Sequence, residues 1–194
     1  MTRRLIESTF VTLGGDVGAP QEWGPPYLNC PDGGALNREL LFGADALVLG
    51  RKTYEGLSAA YTAMTPEPGP MGDFVARMNA IPKYVATRTL TRLSWNAAPL
   101  GPDPAAALAA LKQQGEGYLL KYGTGPLDRL LLEHGLVDEF RIWLVPDTTG
   151  PGQPPFQDVG SFALELASSR TLSSGVVVLT YRPRDAAMPP ARVG

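Results

Sequence analysis

Residues 120–135, "LKYGTGPLDRLLLEHG", join two different patterns through a very tight connection. The run into them, "GYLLKYG" (117–123), reads as a short buried strand. "PLDRLLLEHG" (126–135) reads as an amphipathic helix, with Leu127, Leu130, Leu131 and His134 at the i, i+3, i+4, i+7 spacing. Between them lies Gly123-Thr124-Gly125-Pro126. Glycines let the backbone turn sharply and leave no Cβ in a ligand's way, and Pro126 suits the first position of a helix. Free N–H groups at a helix start, with the positive end of its dipole, suit a phosphate. The stretch is not the dinucleotide fingerprint G-x-G-x-x-G, because Asp128 stands at the third glycine, and no Gly-Lys-Ser/Thr follows to make a P-loop. Alone it is a weak signal, and a strand-to-helix turn without a ligand is its commoner explanation.

Working outward, the same alternation recurs. Leu5–Leu13 alternates apolar and polar residues with β-branched content, as a first strand does. The Gly- and Pro-rich stretch from Gly14 to Gly34 is too irregular for a packed element and too long for a simple connection, which makes it a functional loop. A helix is expected over Ala35–Phe42, a buried strand over 44–50, and a helix from Thr53 or Tyr54. "MTPEPGPMG" (64–72) reads as a loop, and "DFVARMNA" (73–80) as a helix capped by Asp73 and stopped by Pro82. "KYVATRTL" (83–90) is a strand followed by a polar connection containing Trp95, and "DPAAALAALKQQ" (103–114) a helix capped by Asp103. "VDEFRIWLVP" (137–146), "FALELASSRTL" (162–172) and "GVVVLTYRP" (175–183) supply three more strands, the last two forming a hairpin. The expected fold is α/β: a three-layer sandwich around a central, mostly parallel mixed sheet with an antiparallel C-terminal hairpin. Residues 1–183 form a single domain, and 184–194 a loose tail.

Composition narrows the function classes. The chain has 194 residues and a net charge of -2 with no block of like charge, so nucleic acid is not an expected partner. No apolar run is long enough to cross a bilayer, and Glu7 interrupts the place where a signal peptide needs its apolar stretch, so the expectation is a cytoplasmic protein without a membrane partner. Its one cysteine, Cys30, and one histidine, His134, rule out an internal disulfide and leave no cluster of soft ligands for a metal.

In an open α/β sheet, ligands settle beyond the carboxyl ends of the strands. Three junctions here have suitable chemistry: Gly50-Arg51-Lys52-Thr53, Thr87-Arg88-Thr89 and Gly123 to Leu127. Arg51 and Lys52 place cations at a helix start, against its dipole, which a bound anion explains. Arg88 between two threonines matches a monoester phosphate such as the 2'-phosphate of NADP. Singly, each fits a solvated surface residue; together they favour an anion.

The order "STFVTLGG", "ADALVLGRKTYEG", "RMNAIPKYVATRTL", "YGTGPLDRLLLEHGLVDEFRIWLVP" and "SRTLSSGVVVLTYRP" resembles the dihydrofolate-reductase-like family that includes the reductase domain of the bacterial riboflavin enzyme. The resemblance runs from about Arg4 to Pro183. It implies NADPH lying across the carboxyl ends of the strands and hydride transfer to a small heterocycle, imine or carbonyl compound. It also implies phosphate contacts from Gly50 to Thr53, the adenosine 2'-phosphate at Thr87 to Thr89, the pyrophosphate at Gly123, Thr124, Gly125, Pro126 and Leu127, and a homodimer. This chain departs from the family pattern where Leu13-Gly14-Gly15 replaces Leu-Asp-Gly with the acid displaced to Asp16, at Gly34 where folate reductases keep a carboxylate, and in "TTGPGQPPF" (148–156), which lacks the usual lysine.

The substrate end of the site is therefore read from individual residues. Asp16 can orient a substrate nitrogen or stabilise a turn. Tyr54 can donate a proton or pack on the sheet, and Asp147, after Pro146, can face the pocket. Trp23 and Tyr27 can form an aromatic lid or cover the core edge. Glu133, Asp138 and Glu139 read as a solvated face. Because the cofactor carries the hard chemistry, a reductase tolerates a missing carboxylate. The alternative reading is a small-molecule binding protein, or a biosynthetic enzyme without hydride transfer, that kept the cleft.

Overall fold

The computed structural model describes residues 2–90, 92–149, 152–157 and 159–184. In chain order the elements are β1 (Arg4–Thr12), α1 (Pro20–Trp23), α2 (Pro25–Leu28), α3 (Pro31–Phe42), β2 (Ala44–Gly50), α4 (Arg51–Thr62), α5 (Pro70–Ala80) and β3 (Lys83–Ala86). There follow β4 (Ala97–Pro99), α6 (Pro104–Lys112), β5 (Tyr118–Tyr122), α7 (Leu127–Glu133), β6 (Glu139–Val145), β7 (Leu164–Thr171) and β8 (Val177–Pro183). The strands form one sheet in the order β4-β3-β2-β5-β1-β6-β8-β7. It is parallel from β4 to β6; β8 then runs antiparallel to β6, and β7 antiparallel to β8. This is the mixed sheet and C-terminal hairpin that the alternation of patterns predicts.

Side chains alternate across the strands, so each strand feeds both faces. Ile6, Leu47, Leu49 and Leu120 pack with Leu40, Leu41, Phe74 and Met78 from α3 and α5 on one face. Leu5, Val48, Leu119 and Phe140 pack with Leu108 of α6 and Leu131 of α7 on the other. Burying each of these leucines stabilises the fold by about 2 kcal/mol. A third cluster, Trp143, Val145, Leu172, Val176 and Val178, lies beneath Trp23, Tyr27 and Leu28.

Several boundaries differ from the sequence expectation. The stretch from Gly14 to Gly34 is not all loop: it contains α1, α2 and the start of α3, each led by a proline at its first or second position. α3 begins at Pro31, not Ala35, because its first turn is fastened to the β7–β8 connection. Ser173 donates to Asp32 through its backbone N–H at 2.8 Å and its hydroxyl at 2.6 Å, and Cys30 Sγ lies 3.4 Å from Ser174 Oγ. α4 starts at Arg51, directly after Gly50. α5 starts at Pro70 with Gly69 before it, so Asp73 lies inside its first turn rather than at the cap. β3 stops at Ala86, and the connection beyond it contains β4, a short strand paired only to β3. Trp95 is buried there, its Nε1 donating to Asn79 Oδ1 at 2.6 Å. Asp103 caps α6 as expected, accepting from the Ala106 N–H at 3.0 Å. Glu139 is not solvated: it is buried and paired with Arg4 and Arg141. Of the expected tail, residues 185–194 lie outside the described residues. No described helix is long and apolar enough to cross a membrane.

Candidate active site

The strands β1, β2, β3, β5 and β6 end along one edge of the sheet, and the three anion-suited junctions meet there. Gly50 ends β2 and precedes α4, whose start has no side-chain cap and no acidic residue in its first turn. Its free N–H groups and dipole face outward. Gly123 follows β5 with φ +70, a conformation that favours glycine, and a Cβ there would lie 3.6 Å from Thr53 Oγ1. The first and third junctions are thus neighbours. Arg51 links the first to the second: its guanidinium donates to Glu55 Oε1 at 2.8 Å and to Thr89 Oγ1 at 2.9 Å. Thr87 folds the second junction by accepting from the N–H groups of Thr89 and Leu90. Lys52 and Arg88 are exposed, and neither bonds to the described residues.

The edge fits a phosphorylated ligand. Nothing lies within 4 Å of where a Cβ would stand at Gly50 or Gly125. Thr124 Oγ1 is buried and has no hydrogen-bond partner among the described residues, as have Tyr122 Oη and Asn37 Oδ1. A buried polar group without a partner is costly unless a ligand or water supplies one. One donor is already used, however: the Gly125 N–H bonds to Asp128 Oδ2 at 2.7 Å.

That bond belongs to a cluster that single-residue reading misses. Glu7 of β1 and Lys121 of β5 are register partners, and Asp128 lies in the first turn of α7. Glu7 and Asp128 are 0% exposed and Lys121 is 2% exposed. Lys121 Nζ lies 2.5 Å from Asp128 Oδ1 and 3.1 Å from Glu7 Oε2, and it donates to the Gly123 carbonyl. Burial raises the Glu7 pKa to about 8, opposed by Lys121 and reinforced by Asp128. Burial alone would lower Lys121, but the two carboxyls outweigh it and its pKa is raised. The sequence signal was a charge of each sign at positions of two strands that pair in register.

At the substrate end the candidates separate. Asp16 accepts from the Gly18 N–H at 2.8 Å, the Gln153 N–H at 2.8 Å and the Thr149 hydroxyl at 3.0 Å. The Gly18 bond leads the donors that hold its carboxyl below the usual range. A Cβ at Gly152 would overlap the Asp16 carboxyl. Asp16 therefore fastens two loops together and is poorly suited to give up a proton. Tyr54 is buried, and its hydroxyl accepts from the Ser94 N–H at 3.0 Å and donates to the Ser94 carbonyl at 3.3 Å, as a packing residue does. Tyr27 and Asp147 are brought together: the Tyr27 hydroxyl donates to Asp147 Oδ2 at 3.1 Å, and this bond raises the phenol's pKa. Trp23 Nε1 donates to the Gly18 carbonyl at 2.7 Å, and both aromatic residues pack on the third core cluster. Two surface concavities, one along 64–75 and the other around Lys83 and Trp95, are lined by none of the candidate residues. Among the described residues no group of three or more His, Cys, Asp or Glu could hold a metal ion.

With this sheet order, hairpin and edge in view, the comparison with known families is direct: the model of the RibD C-terminal domain matches residues 5–178. The chain belongs to the RibD C-terminal domain family. Within reach of that family, the uncharacterized protein YyaP of Bacillus subtilis (strain 168) is 29% identical over 180 residues, covering 92% of this chain and 94% of YyaP. A putative riboflavin biosynthesis protein from Shewanella sp. PV-4 has the same fold, with a TM-score of 0.70 at 20% identity over 95% of this chain and 99% of that one. Dihydrofolate reductase from Enterococcus faecalis, solved with NADP(H), has a TM-score of 0.60 at 15% identity over 95% of this chain and 100% of that one. The RibD C-terminal domain and dihydrofolate reductase thus share this reductase-like fold.

Proposed function

We propose that the protein is an NADPH-dependent reductase acting on a small polar heterocycle, imine or carbonyl compound. The observation that carries this reading is the meeting of three anion-suited junctions at one edge, with Thr53 beside Gly123 and Arg51 bonded to Thr89. In this reading the α4 N–H groups and Thr53 hold phosphate, the Thr124 hydroxyl gains a partner, and Arg88 meets the 2'-phosphate. When bound, the cofactor supplies the hydride. Tyr27, kept protonated by its bond to Asp147, holds a proton at the half-exposed edge beside β6, within reach of solvent. Titrating the protein with NADPH while following nicotinamide fluorescence tests the reading; no binding near millimolar cofactor removes it. Arg88→Ala is expected to weaken NADPH more than NADH, and equal losses exclude its 2'-phosphate role.

One observation favours the alternative of a binding protein or a non-reducing biosynthetic enzyme. The displaced acid, Asp16, is consumed in loop contacts, and Gly34 stands where folate reductases carry a carboxylate. NADPH oxidation driven by any member of a panel of small imines and carbonyls eliminates that alternative. The homodimer is proposed with the family reading. Its support is the outer strand β7, exposed from Glu165 to Thr171, where antiparallel pairing about Ala167–Ser168 sets Glu165 of each copy opposite Arg170 of the other. Sedimentation at micromolar concentration tests it, and a monomer there overturns it.

A further inference from the structure

Of the three charged residues under the Gly123–Leu127 turn, two touch the turn and one does not. Asp128 Oδ2 accepts the Gly125 N–H, its Oδ1 meets Lys121, and Lys121 donates to the Gly123 carbonyl. Glu7 approaches Lys121 at 3.1 Å and adjoins the Asp128 carboxyl, to which a proton on Glu7 can be donated, and neither of its oxygens bonds to the turn. We propose that the Glu7–Lys121–Asp128 cluster positions the cofactor turn as a charge-neutral unit, with Lys121 and Asp128 ionised and a proton on Glu7. This rests on the reading of the turn as the nucleotide's phosphate site.

The argument is one of charge balance in a dry space. Two carboxylates against one ammonium leave one buried negative charge without compensation, which is costly. The same charge would lie beneath the place where phosphates sit, where low dielectric makes repulsion strong. A proton on Glu7 removes both penalties and breaks no bond to the turn. Among the described residues, the elements packed against the cluster bring no second buried cation to it. β6 places Phe140 opposite Glu7, β2 places Val48 opposite Lys121, α6 contributes Ala105 and Leu108, and the Arg129–Glu133 pair of α7 is exposed. The elevated proton affinity of Glu7 agrees with this balance. Phosphates above the turn raise that affinity further, so nucleotide binding at alkaline pH takes up a proton at Glu7.

The experiment measures the Kd for NADPH from pH 6.5 to 9.5 for the wild type and Glu7→Gln. The wild type is expected to bind evenly up to about pH 8 and then to weaken by up to about tenfold per pH unit, while Glu7→Gln stays level. Lys83, which burial pushes down to about 8, titrates in the same window at the amino end of β3, but it is common to both proteins. Parallel weakening of the two overturns the proposal. Should Glu7→Gln not fold, calorimetry of the wild type at pH 8.5 in two buffers of different ionisation heat decides: uptake of about one proton supports the proposal, and none overturns it. Absence of NADPH binding at every pH removes the cofactor reading instead. The cluster is then judged by stability without nucleotide. The folded chain holds a proton that the unfolded chain releases, so wild-type stability declines as pH rises from the ordinary glutamate value of 4.5 to about 8. Glu7→Gln removes that part of the decline, and an unchanged decline overturns the neutral cluster.

Discussion

Two aspartates at the same edge of the sheet perform the same local task with different partners, and both are largely buried, Asp128 at 0% and Asp16 at 8% exposure. Asp128 accepts the N–H of the turn after β5 while fully buried, and it has Lys121 at 2.5 Å. Asp16 accepts the N–H groups of Gly18 and Gln153 and the hydroxyl of Thr149 at the rim, with no cation beside it among the described residues. The difference teaches what burial requires. Three neutral donors suffice for a carboxylate that keeps a sliver of solvent contact, whereas the one with none is paired with an opposite charge.

Five substitutions, one of them in a double variant, break or sharpen this contrast, from the largest effect to the smallest. Lys121→Met leaves two carboxyls buried without their cation and is expected to cost about 3–5 kcal/mol, read as a lowered midpoint in urea. A loss below about 1 kcal/mol would show that the cluster is not dry. Gly152→Ala pushes a methyl into the Asp16 carboxyl and forces the two loops apart, at about 1–3 kcal/mol. Adding Asp16→Ala to it should recover part of that loss, because the clash partner is gone; strict additivity would show the two are not coupled. Asp16→Asn alone should cost about 1 kcal/mol, since the amide keeps one acceptor oxygen for the donors around it. Its pH dependence has a definite sign. Because the folded carboxyl is more acidic than the unfolded one, its stabilisation is present above the ordinary carboxylate range and is lost as pH falls through the folded value, so the variant and wild type converge in acid. Asp103→Ala removes an exposed helix cap with no cation involved, and about 0.5–1 kcal/mol is expected from thermal melts.

Much of the fold was legible because buried strands and amphipathic helices carry periods that survive in one dimension. β1, β2, β5, β6 and the β7–β8 hairpin lie within the runs that periodicity marks. β4 was not legible: three residues on the outer edge of the sheet have no room for a pattern, and only pairing with β3 makes them a strand. The start of α3 was hidden because Gly33 and Gly34 weaken helix propensity, and what holds that turn is Ser173, far away in sequence. The three anion-suited junctions were marked by glycines and cations next to strand ends. The buried cluster was not, because Glu7, Lys121 and Asp128 each read singly as an ordinary polar position and acquire meaning only when the strands are set in register. Asp16 and Tyr54 were chosen for their chemistry, and sequence cannot show that neighbouring N–H groups and Ser94 already occupy them.

The bond between Asp32 and Ser173 has a bearing on how the protein matures in the cell. α3 borders the edge where the candidate site lies, yet its first turn is held by the connection between the two strands that are translated last among those described. A nascent chain still missing that connection can pair its parallel strands and pack Leu40 and Leu41 of α3 against them, but it lacks the partner of the helix's first turn. The border of the candidate site is therefore finished last, once the hairpin has been made.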